Sequence, residues 1–182
     1  MPKSGWKLPL TATRPALLPG ASDHVFRKLL YDMFTVGARM EEIRRRLGAR
    51  IGLSGPQFTM MMAIAELEGA SGVSVGRVAE YLQVAQAFIT AESGKLAREG
   101  YIEKKPDSTD RRVSRLRISR KGGSALESLF PLLREINDVS FDLASRKRFE
   151  TLCATFGQLV NGSRRALTLL KEDAVVPIRK AI

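Results

Sequence analysis

Between Glu103 and Lys121 stand eight cations, Lys104, Lys105, Arg111, Arg112, Arg115, Arg117, Arg120 and Lys121, against three carboxylates, Glu103, Asp107 and Asp110, a local excess of five positive charges. The chemistry open to such a segment is electrostatic. Cations spaced along an extended ribbon neutralise phosphates and release their counterions, and a projecting ribbon can follow a phosphate backbone or enter a minor groove. The competing reading is a basic hairpin that only faces solvent. Covalent and metal chemistry have little to draw on: His24 is the one histidine and Cys153 the one cysteine, so a multi-cysteine metal site and an internal disulfide are excluded. The sequence contains no phosphate-cradling glycine loop, dinucleotide fingerprint or paired-histidine zinc motif. We expect a protein that is not an enzyme and that carries no cofactor or metal.

The charge of the whole chain agrees. In 182 residues, 30 Lys and Arg face 19 Asp and Glu, a net +11 accompanied by 44% hydrophobic residues, so the excess belongs to a folded protein that should seek a polyanion. The length predicts one compact unit with tails. Its most apolar block, Phe58 to Ala65, holds about eight residues where a membrane span needs roughly 18. The N-terminal apolar stretches are broken by Pro2, Pro9, Pro15 and Pro19. A soluble, cytoplasmic chain is expected.

The elements that must position the basic ribbon follow from periodicity. Residues 1–21, with Trp6, read as an extended arm. From a cap at Ser22 or Asp23, the residues Phe26, Leu29, Met33, Val36, Met40, Ile43 and Leu47 recur at steps of three and four, which predicts a helix widened by Leu30 and Phe34. Ser54 and Pro56 open a short buried helix carrying Phe58, Met61 and Ile64. Ser74 caps another with Val75, Val78, Ala79 and Leu82 inward, and after only Gln83 and Val84 a further helix carries Phe88, Ile89 and Leu96 inward to a stop at Gly100. Two short helices joined so tightly resemble a helix-turn-helix. The period then changes to that of a two-stranded hairpin, with Leu116 and Ile118 alternating against Arg115, Arg117 and Ser119. Two long helical patterns follow, the first kinked at Pro131. Cys153 falls in the apolar pattern of the second and is expected buried and inert.

The order of these features carries a resemblance. Asp110-Arg111-Arg112 followed by Leu116, Ile118, Ser119 and Gly122 resembles the wing signature of the MarR family of winged helix-turn-helix regulators, with Ile and Ser standing for Leu and Thr. Val78-Ala79-Glu80-Tyr81-Leu82, Val84, Leu96 and Gly100-Tyr101-Ile102 match its helix pair in the same order. The resemblance covers most of residues 24–171. It implies a mainly α fold with a small β-hairpin wing, in which residues 22–53 form a first dimerisation helix, 54–121 the winged helix-turn-helix lobe, 122–171 the C-terminal dimerisation helices and 172–182 a tail.

What the resemblance implies for function is a homodimeric regulator of transcription that binds a pseudo-palindromic site in double-stranded DNA, acts as a repressor and is released by a small, aromatic or phenolic ligand. The recognition helix departs from the family: Ala85 stands where Ser commonly caps, Gln86 and Ala91 where Arg is frequent, and Glu92 and Ser93 where apolar residues are usual. Base reading is therefore assigned on chemistry. Gln86 can donate to and accept from an adenine edge, and Thr90 can meet a thymine methyl or a phosphate. Lys95, further along the helix, is expected on phosphate. Ser74, Arg111, Arg112 and Arg115 complete the DNA-contacting set, either Arg111 or Arg112 entering the minor groove. Asp110 is assigned to hold Arg112 or another wing arginine by a charge-assisted hydrogen bond. Met33, Phe34, Met40, Phe58 and Met61 are candidates to line an effector pocket, with core filling as the alternative. The rival to the whole reading is a basic winged helix that binds nucleic acid by charge alone, as an architectural protein does.

Overall fold

A computed structural model describes residues 7–110, 112–143 and 145–173. The chain divides into two compact units, Met1–Leu133 and Arg134–Ile182, where the length alone predicts one. Trp6 and Arg111 lie outside the described residues.

In the first unit the arm makes two short 3-10 turns, Pro15–Leu17 and Pro19–Ala21. It is tied down at Asp23, whose carboxylate accepts from the backbone N–H and hydroxyl of Thr11 at 2.6 and 2.7 Å and from Arg27 Nη1 at 2.5 Å. Asp23 sits at the cap position of α1 (His24–Arg50) but spends its oxygens on these partners and caps no backbone donor with its side chain. Those hydrogen bonds, the Thr11 hydroxyl first, hold the carboxyl below the usual aspartate range.

Helix α2 (Gly55–Leu67) starts as expected. Ser54 Oγ accepts from Gln57 N and Gln57 Oε1 accepts from Ser54 N, a reciprocal capping box. Met60, Met61 and Ile64 on α2 are wholly buried and make the centre of the lobe with Val78, Ile89, Leu96 and Leu116. Burying a side chain of this size contributes about 1.5–3 kcal/mol. Helix α3 (Val75–Leu82) is capped by Ser74 Oγ, and Gln83 closes it in the left-handed region at φ +56°. Helix α4 (Gln86–Arg98) then begins at Ala85 without a side-chain cap.

The hairpin pairs β2 (Ile102–Pro106) antiparallel to β3 (Ser114–Ile118), with Lys104 opposite Leu116. A third strand not foreseen from the sequence, β1 (Val73–Ser74), pairs with β3 on its other side, giving the order β1-β3-β2. Beyond β1 the free N–H of Ile118 is taken by Glu68 Oε2 at 2.6 Å. Helix α5 (Arg120–Ser140) runs on through Pro131, which lacks the N–H that would bond the Glu127 carbonyl.

The second unit contains the end of α5 and helix α6 (Arg146–Asp173). Its apolar residues Phe149, Phe156, Leu159, Val160, Leu167 and Leu170 are exposed. Cys153 is exposed too, against the expectation of burial. On α1, Leu29, Tyr31, Phe34 and Val36 are likewise exposed.

Candidate nucleic-acid interface

Helix α4 turns Ile89, Ser93 and Leu96 into the lobe and leaves Gln86 and Thr90 exposed. The Thr90 hydroxyl donates to the Gln86 carbonyl at 3.0 Å, so its oxygen remains available as an acceptor. Ser93, fully buried, donates to the Thr90 carbonyl at 3.1 Å and accepts from Lys104 Nζ at 3.4 Å, which ties α4 to β2. Lys95 Nζ lies 2.6 Å from Glu92. Phe88 is not core: it remains 39% exposed and lines a groove of about 320 Å³ with Glu41, Arg44, Pro56, Thr59, Leu82 and Val84. The proposed pocket set is not brought together, since Phe58 and Met61 are buried in the core while Phe34 is 69% exposed.

The wing is organised by Asp107, a residue the sequence reading passed over in favour of Asp110. Asp107 Oδ1 accepts from Thr109 N at 2.8 Å, Thr109 Oγ1 at 2.5 Å and Asp110 N at 3.1 Å, and its other oxygen binds Arg115 Nε. The Thr109 bonds above all, with Arg115, push this carboxyl well below the usual aspartate range. Among the described residues Asp110 meets no guanidinium; it accepts from the backbone N–H of Arg112 at 2.9 Å. The Asp-x-Thr spacing of Asp107 and Thr109, an aspartate turn with a hydroxyl two residues on, is the signal that could have found it.

Arg115 is half-buried, bound to Asp107 and to the Gly72 carbonyl at 3.4 Å, and Arg117 donates to the Ala70 carbonyl at 2.9 Å. These two arginines brace the wing against the loop before β1. Lys105 pairs with Glu103 at 2.7 Å, which lowers the Glu103 pKa. Arg112 is exposed, and its guanidinium has no acceptor among the described residues. Ser74 Oγ accepts from Arg77 N at 3.2 Å as the cap of α3, which leaves its hydroxyl hydrogen to donate. The arrangement is an exposed polar helix face tied to a basic ribbon whose turn carries the exposed Arg112.

The family model described as the MarR family matches residues 51–113, the stretch from the end of α1 to the wing turn. Over that stretch the chain resembles the MarR family. A curated relative, the transcriptional activatory protein BadR of Rhodopseudomonas palustris, is 26% identical over 102 residues, 56% of this chain and 58% of its own length. The chain thus spans less than two thirds of that relative. Among solved structures, a MarR protein from Peptoclostridium difficile superposes with a TM-score of 0.67 at 18% identity, covering 92% of this chain and 99% of that one. The S. aureus MepR–DNA complex superposes at 0.64 and 14% identity, over 72% of this chain and 96% of that one. These likenesses establish the MarR-type fold. Among the described residues no group of His, Cys, Asp and Glu could hold a metal ion, and no helix is long and apolar enough to cross a membrane.

Proposed function

We propose that this chain is a sequence-specific regulator of transcription that binds double-stranded DNA as a homodimer, a regulator and not an enzyme, as its likeness to the MarR family over residues 51–113 supports. The observation that carries the reading is the exposed face of α4 joined through Ser93 and Lys104 to a wing whose turn carries the unpartnered Arg112. In this reading α4 enters the major groove, where Gln86 takes an adenine edge and Thr90 a thymine methyl or a phosphate. Arg112, with Arg111 beside it, reaches the minor groove. Lys95 and Ser74 contact phosphate. Arg115 supports the interface by fixing the wing.

The uncovered apolar residues of α1 and α6 support a second copy as partner, since Phe34 is 69% and Leu167 60% exposed in the single chain. Residues 54–121 then serve as the DNA-binding lobe and residues 22–53 and 122–171 as dimerisation elements. Two lobes related by a twofold axis read half-sites about one turn apart. The groove beside Phe88, with Pro56, Leu82 and Val84 along it and Arg44 paired to Glu41 at its edge, is the site we propose for a small aromatic effector. Such a ligand must prefer the dimer whose α4 helices are wrongly spaced, because equal affinity for both states shifts nothing. Repression by occlusion is the regulatory sense we propose. The curated relative is named as an activator, so transcription from a template carrying the bound sequence, with and without protein, decides the sense.

The test is selection of bound duplexes from a random pool at physiological salt, where charge-only binding is weakened. An enriched palindrome with half-sites one turn apart is expected. Binding that falls with salt and enriches no motif overturns the regulator in favour of the architectural reading.

A further inference from the structure

Glu92 is the single acidic residue of α4 and occupies a position where an acid opposes any approach to phosphate. Its side chain is only 14% exposed, and its two oxygens have separate partners: Oε2 accepts from Gln57 Nε2 at 3.1 Å and Oε1 from Lys95 Nζ at 2.6 Å. Gln57 is itself fixed, because its Oε1 accepts from Ser54 N at 2.9 Å in the capping box of α2. The carboxylate is therefore anchored to a second helix before Lys95 reaches it. An exposed ion pair loses much of its Coulomb gain to the ordering of two flexible chains. Here one partner is already ordered by α2, so Lys95 meets a preformed site.

We propose that Glu92 is a specificity-determining residue that withholds Lys95 from phosphate until α4 is seated in its cognate groove, thereby suppressing binding to unrelated DNA. On an unrelated duplex the protein is held by charge, and a lysine with a fixed counter-carboxylate displaces few condensed cations. On the cognate duplex, base contacts by α4 bring a phosphate close enough for Lys95 to exchange partners. Part of the affinity is thus conditional on sequence, a repulsive element built into the reading helix. The inference rests on the DNA-binding reading above, and the experiment separates the two.

The measurement is the dependence of log K on log salt for the selected duplex and for a scrambled duplex of equal length and composition. It uses the full-length chain, Glu92→Gln, Lys95→Ala and the double variant. Glutamine keeps an acceptor for Gln57 and removes the charge that holds Lys95. On the scrambled duplex, Glu92→Gln is expected to steepen the slope by about 0.9, the value of one phosphate contact. Lys95→Ala is expected to flatten that slope by about 0.9 more in the Glu92→Gln background than in the wild type. The ratio of selected to scrambled affinity falls in Glu92→Gln. Additive effects of the two substitutions, or a scrambled-duplex slope unmoved by Glu92→Gln, overturn the proposal while leaving the regulator intact. Failure of the wild-type chain to bind either duplex removes the regulator itself.

Discussion

Asp107 and Arg115 meet where the strands of the wing enter its turn, carboxylate to guanidinium Nε, while the same carboxylate closes the turn on Thr109. One acid thus fixes both the path of the turn and the side chain of an arginine on the following strand. Asp107→Ala is expected to lower the unfolding temperature and to weaken DNA binding on all sequences alike, because it misplaces the wing without touching α4. Loss confined to particular base positions would contradict this role.

The pH dependence follows from the same residue. Its carboxyl titrates below the ordinary aspartate range when folded, so its contribution to stability is fully present above the unfolded value, about pH 3.9, and is lost as pH falls through the lower folded value. The difference in unfolding temperature between wild type and Asp107→Asn should be constant from about pH 5 upward and narrow only in stronger acid. Thermal unfolding followed by circular dichroism across this range checks it. A gap that closes near neutral pH would point to another group.

Two adjacent glycines make a clean pair for the packing at the start of α5. A Cβ on Gly122 would lie 2.0 Å from the Tyr101 carbonyl oxygen, whereas one on Gly123 meets nothing nearer than Ile118 Cγ2 at 3.9 Å. Gly122→Ala should destabilise by roughly 3 kcal/mol, and Gly123→Ala should be neutral or stabilising by up to about 1 kcal/mol through helix propensity. Urea denaturation of the two variants distinguishes them. Equal stability would mean that α5 starts along a different path.

How far the sequence spoke for this architecture differs from element to element. The capping box of Ser54 and Gln57, the Ser74 cap and the glycine stop at Gly100 were legible because each is a local device whose residues fix their own backbone. Strand β1 was not, because two residues carry no periodicity and Val73 is a strand only through its partner Leu116 on β3. The Asp107–Arg115 pair was hidden for a related reason: which acid meets a guanidinium depends on how the turn folds, not on nearness in sequence. Phe88 and Cys153 were read as buried from helical spacing, which reports a face but not what covers it. In the candidate interface, the exposure of Gln86 was legible from its place on the polar face of α4, whereas the Gln57–Glu92–Lys95 chain required the crossing of α2 and α4.

The uncovered apolar residues of α6 carry the prediction for assembly. Sedimentation equilibrium should give twice the 20.1 kDa protomer mass, and Leu159→Arg or Phe156→Lys should shift the population toward the protomer. Operator affinity should fall with it, because each half-site then binds alone. A wild-type chain that sediments as a protomer at micromolar concentration would contradict the dimer.

Arg112→Ala should weaken binding to every duplex and flatten the salt dependence by about 0.9, as expected for one lost phosphate-proximal cation. Salt titrations on selected and scrambled duplexes check it. An unchanged slope would place this guanidinium away from the DNA.

The most direct measurement is a pair of selections from one random duplex pool, with the wild-type chain and with Gln86→Ala, sequenced side by side. The account predicts the same palindrome from both, with the information at one base position of each half-site lost in the variant. Indistinguishable motifs from the two proteins, or no motif from either, would contradict the claim that α4 reads sequence through Gln86.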